Sequence, residues 1–275
     1  MKKKSILERV AAVPHTVWMI MFIVAPMIFV LFFAFTDING NFSFINITRL
    51  AQYSNVFLLS IGFALIATVI CLLIGYPLAY FLAKTKPSTQ KILVLLIMLP
   101  MWISLLIRTY SLMALLDNGG LLNSLLNQLG LADINIVGTT QGVILGMIYD
   151  FLPYMVLPIY TAITKIDPKC LEAASDLGCN NFKVMTKVII PLSAPGIISG
   201  ITMVFIPSIS TFYISQKLGA GKFDLIGDTI ERLFQNVGTY NIGAAISLVM
   251  MILITISVVV MNKFSGNDDD GGIIV

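Results

Sequence analysis

Six apolar stretches separated by short polar connections run the length of the chain. Each is long enough for a bilayer-crossing helix, which needs about 20 mostly apolar residues. Residues 10–36 contain no Asp, Glu, Lys or Arg, and the apolar part runs from Val17 to Phe35. Residues 50–83 are also free of charge and predict a span near 57–82. A third stretch runs from Ile92 to Leu115 with Arg108 as its one interruption, and a fourth runs from Gln141 to Ile163 around Asp150. The fifth lies within 188–216 and the sixth within 233–262. The pattern predicts an all-α membrane protein with six transmembrane helices over 17–263, an amino-terminal segment 1–16 and a tail 264–275. The tail, Gly266-Asn267-Asp268-Asp269-Asp270-Gly271-Gly272, reads as a solvated flexible end rather than a cation site, because nothing fixes its aspartates.

Composition agrees. Of 275 residues, 57% are hydrophobic and 11% charged, against roughly a quarter charged in a soluble domain, and the mean hydropathy is +0.93. This excludes a soluble globular enzyme, a disordered chain and a basic nucleic-acid binder; the partner that composition implies is the lipid bilayer. The net charge of +3 says little, but its placement says more. Twelve Lys and Arg fall on one side of the predicted spans: Lys2, Lys3, Lys4, Arg9, the 84–91 and 164–187 loops, and Lys263. Four fall on the other: Arg49, Lys217, Lys222 and Arg232. The positive-inside rule then puts both termini in the cytoplasm. The first span is too long for the apolar core of a signal peptide and reads as a retained helix. Cys71, Cys170 and Cys179 lack paired metal spacing, and His15 is the single histidine, so neither a metal site nor a His-based triad is expected.

Within the spans, Gly142-x-x-x-Gly146 and Gly196-x-x-x-Gly200 are small-residue faces suited to close helix approach. Pro26, Pro77, Pro100, Pro153, Pro158 and Pro207 are candidate kinks. Arg108 and Asp150 are the two ionisable groups inside spans, which makes both functional candidates. With a rise of about 1.5 Å per residue they lie about 11 and 14 Å in from the outer ends of their spans. They either pair and lock two helices, or Asp150 faces a path and attracts a cation. Tyr149, Tyr154, Trp102 and Tyr110 are candidates for cation–π contacts along such a path, or for ordinary packing. The charged 215–241 segment, with Lys217, Lys222, Asp224, Asp228, Glu231 and Arg232, reads as an external loop, either solvated or touching a partner.

The connection 164–191 is the most informative. Asp167 is a good N-cap, Pro168 suits the first helical position, the helix can run to Leu177, and Gly178 can supply a left-handed stop. Asn180 or Asn181 can cap a second helix leading to Pro191. Ten residues do not hold a helix alone in water, so the first helix needs a surface. Leu171, Ala174, Ser175 and Gly178 share one small-sided face that fits a partner's groove; packing on its own bundle is the other reading.

Glu172-Ala173-Ala174, then Gly178, then Val188-x-Ile190-Pro191 resembles the EAA loop of ABC-importer permeases, with Val188 and Ile190 as conservative departures from the family pattern. Further segments carry the likeness to spermidine/putrescine permeases of PotB type: Gly75-Tyr76-Pro77-Leu78-Ala79, Leu106-Ile107-Arg108-Thr109-Tyr110, Phe151-Leu152-Pro153-Tyr154 and Pro191-Leu192-Ser193-Ala194-Pro195. The resemblance implies a type I permease fold in a bacterial cytoplasmic membrane. It also implies a second homologous permease subunit, two copies of a cytoplasmic ATPase docked on the loop, and an extracytoplasmic polyamine-binding protein. Glu172, Ala173, Ala174, Gly178 and Pro191 would then be the coupling residues. No G-x-x-x-x-G-K-[ST] loop occurs in the chain, so ATP and Mg²⁺ would belong to the ATPase and this chain would bind no cofactor and catalyse nothing. Iron or thiamine remains open as cargo within the same architecture. An ion-coupled secondary transporter is a rival, but it shows no internal repeat and leaves the 164–191 loop unexplained. A membrane enzyme would need a catalytic constellation that the sequence lacks.

Overall fold

The computed structural model describes residues 6–236 and 238–264, and among them all regular structure is helical apart from one bridge between Thr36 and Phe42. Lys2 to Lys4 and the tail from Gly266 to Gly272 lie outside the described residues. The helices are α1 (Val13–Ala34), α2 (Ser54–Lys84), α3 (Pro87–Met98), α4 (Leu105–Leu116), α5 (Leu121–Gln128) and α6 (Thr140–Thr164). They continue as α7 (Pro168–Asp176), α8 (Asn181–Leu192), α9 (Ala194–Ser210), α10 (Tyr213–Leu218), α11 (Ile226–Gln235) and α12 (Tyr240–Phe264).

Four helical stretches have the length and apolarity to cross a membrane: Val13–Ala34, Ile45–Lys84 (α2 with the short helix Ile45–Arg49 and the tight turn Leu50–Tyr53 that lead into it), Thr140–Thr164 and Tyr240–Lys263. Two bent pairs bring the number to six if each counts as one crossing. Pro87–Trp102 meets Leu105–Gln128 at 96°, and Asn181–Leu192 meets Ala194–Ser210 at 65°. The third apolar stretch is therefore not the straight helix its composition predicts. Pro100 sits in a tight turn over Leu99–Trp102, and Ile103 and Ser104 are extended, with ψ near 138° and 135°. Arg108 lies beyond that break, in α4, which also holds Leu115, so the count of residues between them runs along one helix. Pro77, Pro153, Pro158 and Pro207, by contrast, lie inside continuous helices. A proline in a helix loses one backbone hydrogen bond, and neighbouring helices can accommodate the loss without a break.

Contacts divide the chain into two units: the chain through Asn55 with Thr229–Leu253, and Val56–Asp228 with the chain from Ile254. In the first, Ala34, Ala244, Ala245 and Leu248 form a small core. The carbonyls at the end of α1 are capped by asparagine side chains. Asn46 Nδ2 donates to the carbonyls of Ala34 (3.3 Å) and Thr36 (2.8 Å), and Asn241 Nδ2 donates to those of Thr36 (2.6 Å) and Asp37 (3.2 Å).

The second unit is built around α6. Met147, Met155, Val156 and Ile159 are fully buried in it, beside Ala67, Cys71 and Ala79 of α2, Val204 of α9, and Ile214 and Leu218 of α10. Both small-residue faces are used. A Cβ on Gly196 would stand 2.5 Å from Ala162 Cβ, and one on Gly200 2.8 Å from Met155 Sδ, so α9 lies tight on α6. A Cβ on Gly146 would stand 2.8 Å from Ile214 Cγ2, so this glycine admits α10. Where lipid gives no hydrophobic drive, close backbone approach of this kind supplies the packing energy.

Candidate functional site

The connection between α6 and α9 folds as two short helices with caps at the expected places. The Asp167 carboxylate accepts from the Lys169 backbone N–H (3.0 Å), Pro168 opens α7, and the Asn180 side chain accepts from the Lys183 N–H (2.9 Å) to open α8. Gly178, with φ +78°, turns the chain between them; a Cβ there would meet nothing within 4 Å, so backbone conformation alone asks for glycine. The face carrying Leu171 and Ala174 does not point outward. Ala174 is buried, and Leu171, Ile166, Val184 and Met185 pack against the core around α6. A cavity of about 350 Å³ remains under the loop, between Pro168, Leu171 and Ile189 and the α2–α3 turn at Lys84 and Gln90. Glu172, Ala173, Gly178 and Pro191 are exposed, as are Leu177 (85%) and Phe182 (75%). Those two apolar knobs lie outside the motif; the sequence signal for them is a Leu and a Phe set among polar residues of a hydrophilic loop. At the far end, the Ser193 hydroxyl is buried at the 65° bend and lies 3.1 Å from Tyr76 Oη of α2.

Inside the helices, Arg108 and Asp150 do meet. Arg108 Nη1 lies 3.4 Å from Asp150 Oδ1 and donates to the Asp150 backbone carbonyl at 3.3 Å; both residues are buried. The Thr109 hydroxyl lies 3.1 Å from Asp150 Oδ2 and 2.9 Å from the Leu105 carbonyl, so its one proton serves one of them at a time. Asp150 Oδ1 and Arg108 Nε have no hydrogen-bond partner. The pair ties α4 to α6, and removing one partner of a buried pair costs about 3–5 kcal/mol.

The four aromatic candidates do not gather around this pair. Tyr149 is exposed while its neighbour Asp150 points inward, as successive helical side chains some 100° apart must. Tyr110 follows Arg108 by two positions and is exposed on the opposite face of α4. Trp102 is exposed at the α3–α4 break. Tyr154 packs on Phe151, with ring centroids 6.4 Å apart, and opens onto a groove of about 790 Å³ lined by Met101, Pro158, Gly196 and Met203, with Lys165 also on its wall.

Two features were not legible as sites. Lys217 Nζ lies 5.2 Å from the Tyr110 ring centroid and 5.6 Å from that of Tyr213, and the two rings meet edge to face at 5.7 Å. Tyr213 and Lys217 are four residues apart, which puts them on one helical face; nothing in the sequence signals Tyr110 as their partner. The start of the charged 215–241 segment is also no solvated loop. Ile214, Ser215, Leu218, Leu225 and Ile226 are fully buried, and the Ile226 N–H donates to Ser60 Oγ of α2 at 2.8 Å. Asp228 is buried with them and accepts from the Ser215 hydroxyl (2.5 Å) and the Leu225 N–H (3.1 Å). Burial, aided by Asp224, pushes its carboxyl up to about 6 against the pull of these hydrogen bonds.

A family model described as "Binding-protein-dependent transport system inner membrane component" matches residues 75–266. The chain is 38% identical over 254 residues to the spermidine/putrescine transport system permease protein PotB of Haemophilus influenzae, covering 88% of each. It is 38% identical over 253 residues to the protein of the same name from Escherichia coli, covering 88% of this chain and 92% of that one. Among solved structures it resembles a chain of a bacterial ABC transporter involved in the import of the acidic polysaccharide alginate. The TM-score is 0.77 at 21% identity, with 96% of both chains covered. That likeness establishes the fold as that of an ABC-importer permease.

Proposed function

Because this chain belongs to the family of binding-protein-dependent transport system inner membrane components, we propose that it is the permease subunit of an ATP-driven importer whose cargo is a polyamine. The cargo class rests on the printed names of relatives 38% identical over most of both chains. The observation that carries the mechanism is the 164–191 loop. Its helix α7 is braced on one side by Leu171 and Ala174 and presents Glu172, Ala173 and Leu177 on the other. A braced helix with an exposed mixed face suits a partner that pushes, because force applied there reaches α6 and, through Ser193 and Tyr76, the bend of α9 and helix α2. In this reading the loop, both termini and Lys84–Lys91 face the cytoplasm. Two ATPase copies, which hold the ATP and Mg²⁺, grip this loop and its counterpart on a second permease. A polyamine-binding protein delivers cargo from the opposite side. This chain performs no hydrolysis. Asp150 and Arg108 act as a lock between α4 and α6, so access alternates around a rigid core, and each ligand drives the change only by its different affinity for the two states.

The test is co-purification of the ATPase with tagged permease. Glu172→Ala and Gly178→Asp are expected to lower recovered ATPase about tenfold, a change of about 1.4 kcal/mol, while the permease still folds. Full recovery with both variants, at unchanged uptake, rejects the docking role.

A further inference from the structure

The contact of Lys217 with two tyrosines is unusual in what it lacks. Among the described residues no carboxylate pairs with this ammonium; it lies against the rings of Tyr110 and Tyr213 and within hydrogen-bonding reach of the Tyr110 hydroxyl. Those rings come from α4 and α10, more than a hundred positions apart. Tyr110 is 46% exposed, and Tyr213 and Lys217 are half-buried, so the place is open to a mobile ligand. The lysine side chain is a four-carbon alkyl chain ending in a primary ammonium. A terminal arm of putrescine or spermidine is the same fragment. The rings therefore already hold, in tethered form, the chemical group that the proposed cargo carries.

We propose that Tyr110 and Tyr213 form an ammonium subsite for the polyamine, and that Lys217 fills it when no cargo is present and is displaced when cargo arrives. This rests on the polyamine reading above and adds the residues that receive the amine. The exchange swaps one alkylammonium for another on the same two rings, so it is nearly balanced. A transport path needs that balance, because its sites must be favourable enough to enter and weak enough to leave. The tether also sets a threshold: a linked competitor acts at an effective concentration in the millimolar range, so only cargo released at high local concentration takes the rings. Neither step requires the Arg108–Asp150 pair, which lies on the other face of α4.

A simple structural staple and a displaceable surrogate differ in sign. If Lys217 only pins α10 to α4, removing the amine or a ring harms the protein in the same direction. If it competes with cargo, removing the amine helps binding and removing a ring hurts it. The experiment is equilibrium binding of radiolabelled spermidine to the assembled transporter without its binding protein, alongside ATP-driven spermidine uptake into proteoliposomes with it. Lys217→Met keeps the apolar stem and is expected to tighten binding about three- to tenfold. Tyr110→Leu is expected to weaken it by a similar factor, Tyr110→Phe to leave it near wild type, and Tyr110→Leu combined with Lys217→Met to lose the gain. If the wild type transports spermidine but Lys217→Met binds it no tighter, or Tyr110→Leu binds it no weaker, the subsite is wrong and the polyamine reading stands. If the wild type transports no polyamine, both fall together.

Discussion

The 164–193 connection and the 211–228 segment are alike in composition, each short, mixed and charged, yet they fold in opposite senses. In the first, Leu177 and Phe182 stand 85% and 75% exposed; in the second, Ile214, Leu218 and Leu225 are fully buried. The second segment is received by its own chain, since Gly146 leaves room for Ile214 and Leu218, and Ser60 satisfies the Ile226 N–H. The first meets its own bundle with one face only, and among the described residues nothing covers Leu177 and Phe182 on the other. Exposed apolar side chains of this kind fit the docking proposed for the loop, whereas charged residues alone do not separate an exposed segment from a buried one.

Breaking the receptor should have the largest effect. Gly146→Val puts a side chain where Ile214 and Leu218 sit and is expected to cost about 3 kcal/mol or more, read as loss of folded protein in a thermal-stability assay; a wild-type melting curve would mean that α10 is not packed as described. The contrast sharpens in the other region. Leu177→Ser with Phe182→Ser is expected to leave the melting curve unchanged and to lower ATPase co-purification about tenfold, or about 1.4 kcal/mol. A loss of thermal stability instead would make these side chains part of the fold. The smallest effect concerns Asp228. Its carboxyl is raised to about 6 in the folded protein, above its value near 3.9 in an unfolded chain. The folded state then binds the extra proton between those values, so stability rises as pH falls through 6 and levels off near 4. From pH 7 to pH 5 the wild type should gain about 1 kcal/mol and Asp228→Asn should lose that dependence; equal pH profiles for the two would show that Asp228 is not the titrating group.

Much of the fold was legible because bilayer crossing imposes length and apolarity on each helix, and caps and turns impose local chemistry. Asp167, Pro168, Gly178 and Asn180 take the backbone roles their residue types allow, and the paired glycines of α6 and α9 mark close contacts. The break at Ile103–Ser104 was not legible, because an apolar run reads the same whether straight or folded at 96°. The inward turn of Ala174 was one of two readings the sequence left open, since helical spacing identifies a face without saying which side it meets. Arg108 and Asp150 were readable as a pair because two buried opposite charges have few alternatives. Lys217 on Tyr110 was not readable, because neither residue is unusual on a membrane protein's surface and their meeting depends on the α4–α10 arrangement.

The asparagine caps at the end of α1 bear on how the chain is made. Asn46 is synthesised soon after α1, but Asn241 follows Thr36 by 205 positions. A ribosome-bound intermediate that has already threaded its first hydrophobic segment still holds the Asp37 carbonyl without its asparagine donor until the last segment emerges. Insertion of the final helix is thus the step that seals the beginning of the protein, and a product truncated before Asn241 should be recognised by quality-control proteases at its amino-terminal end.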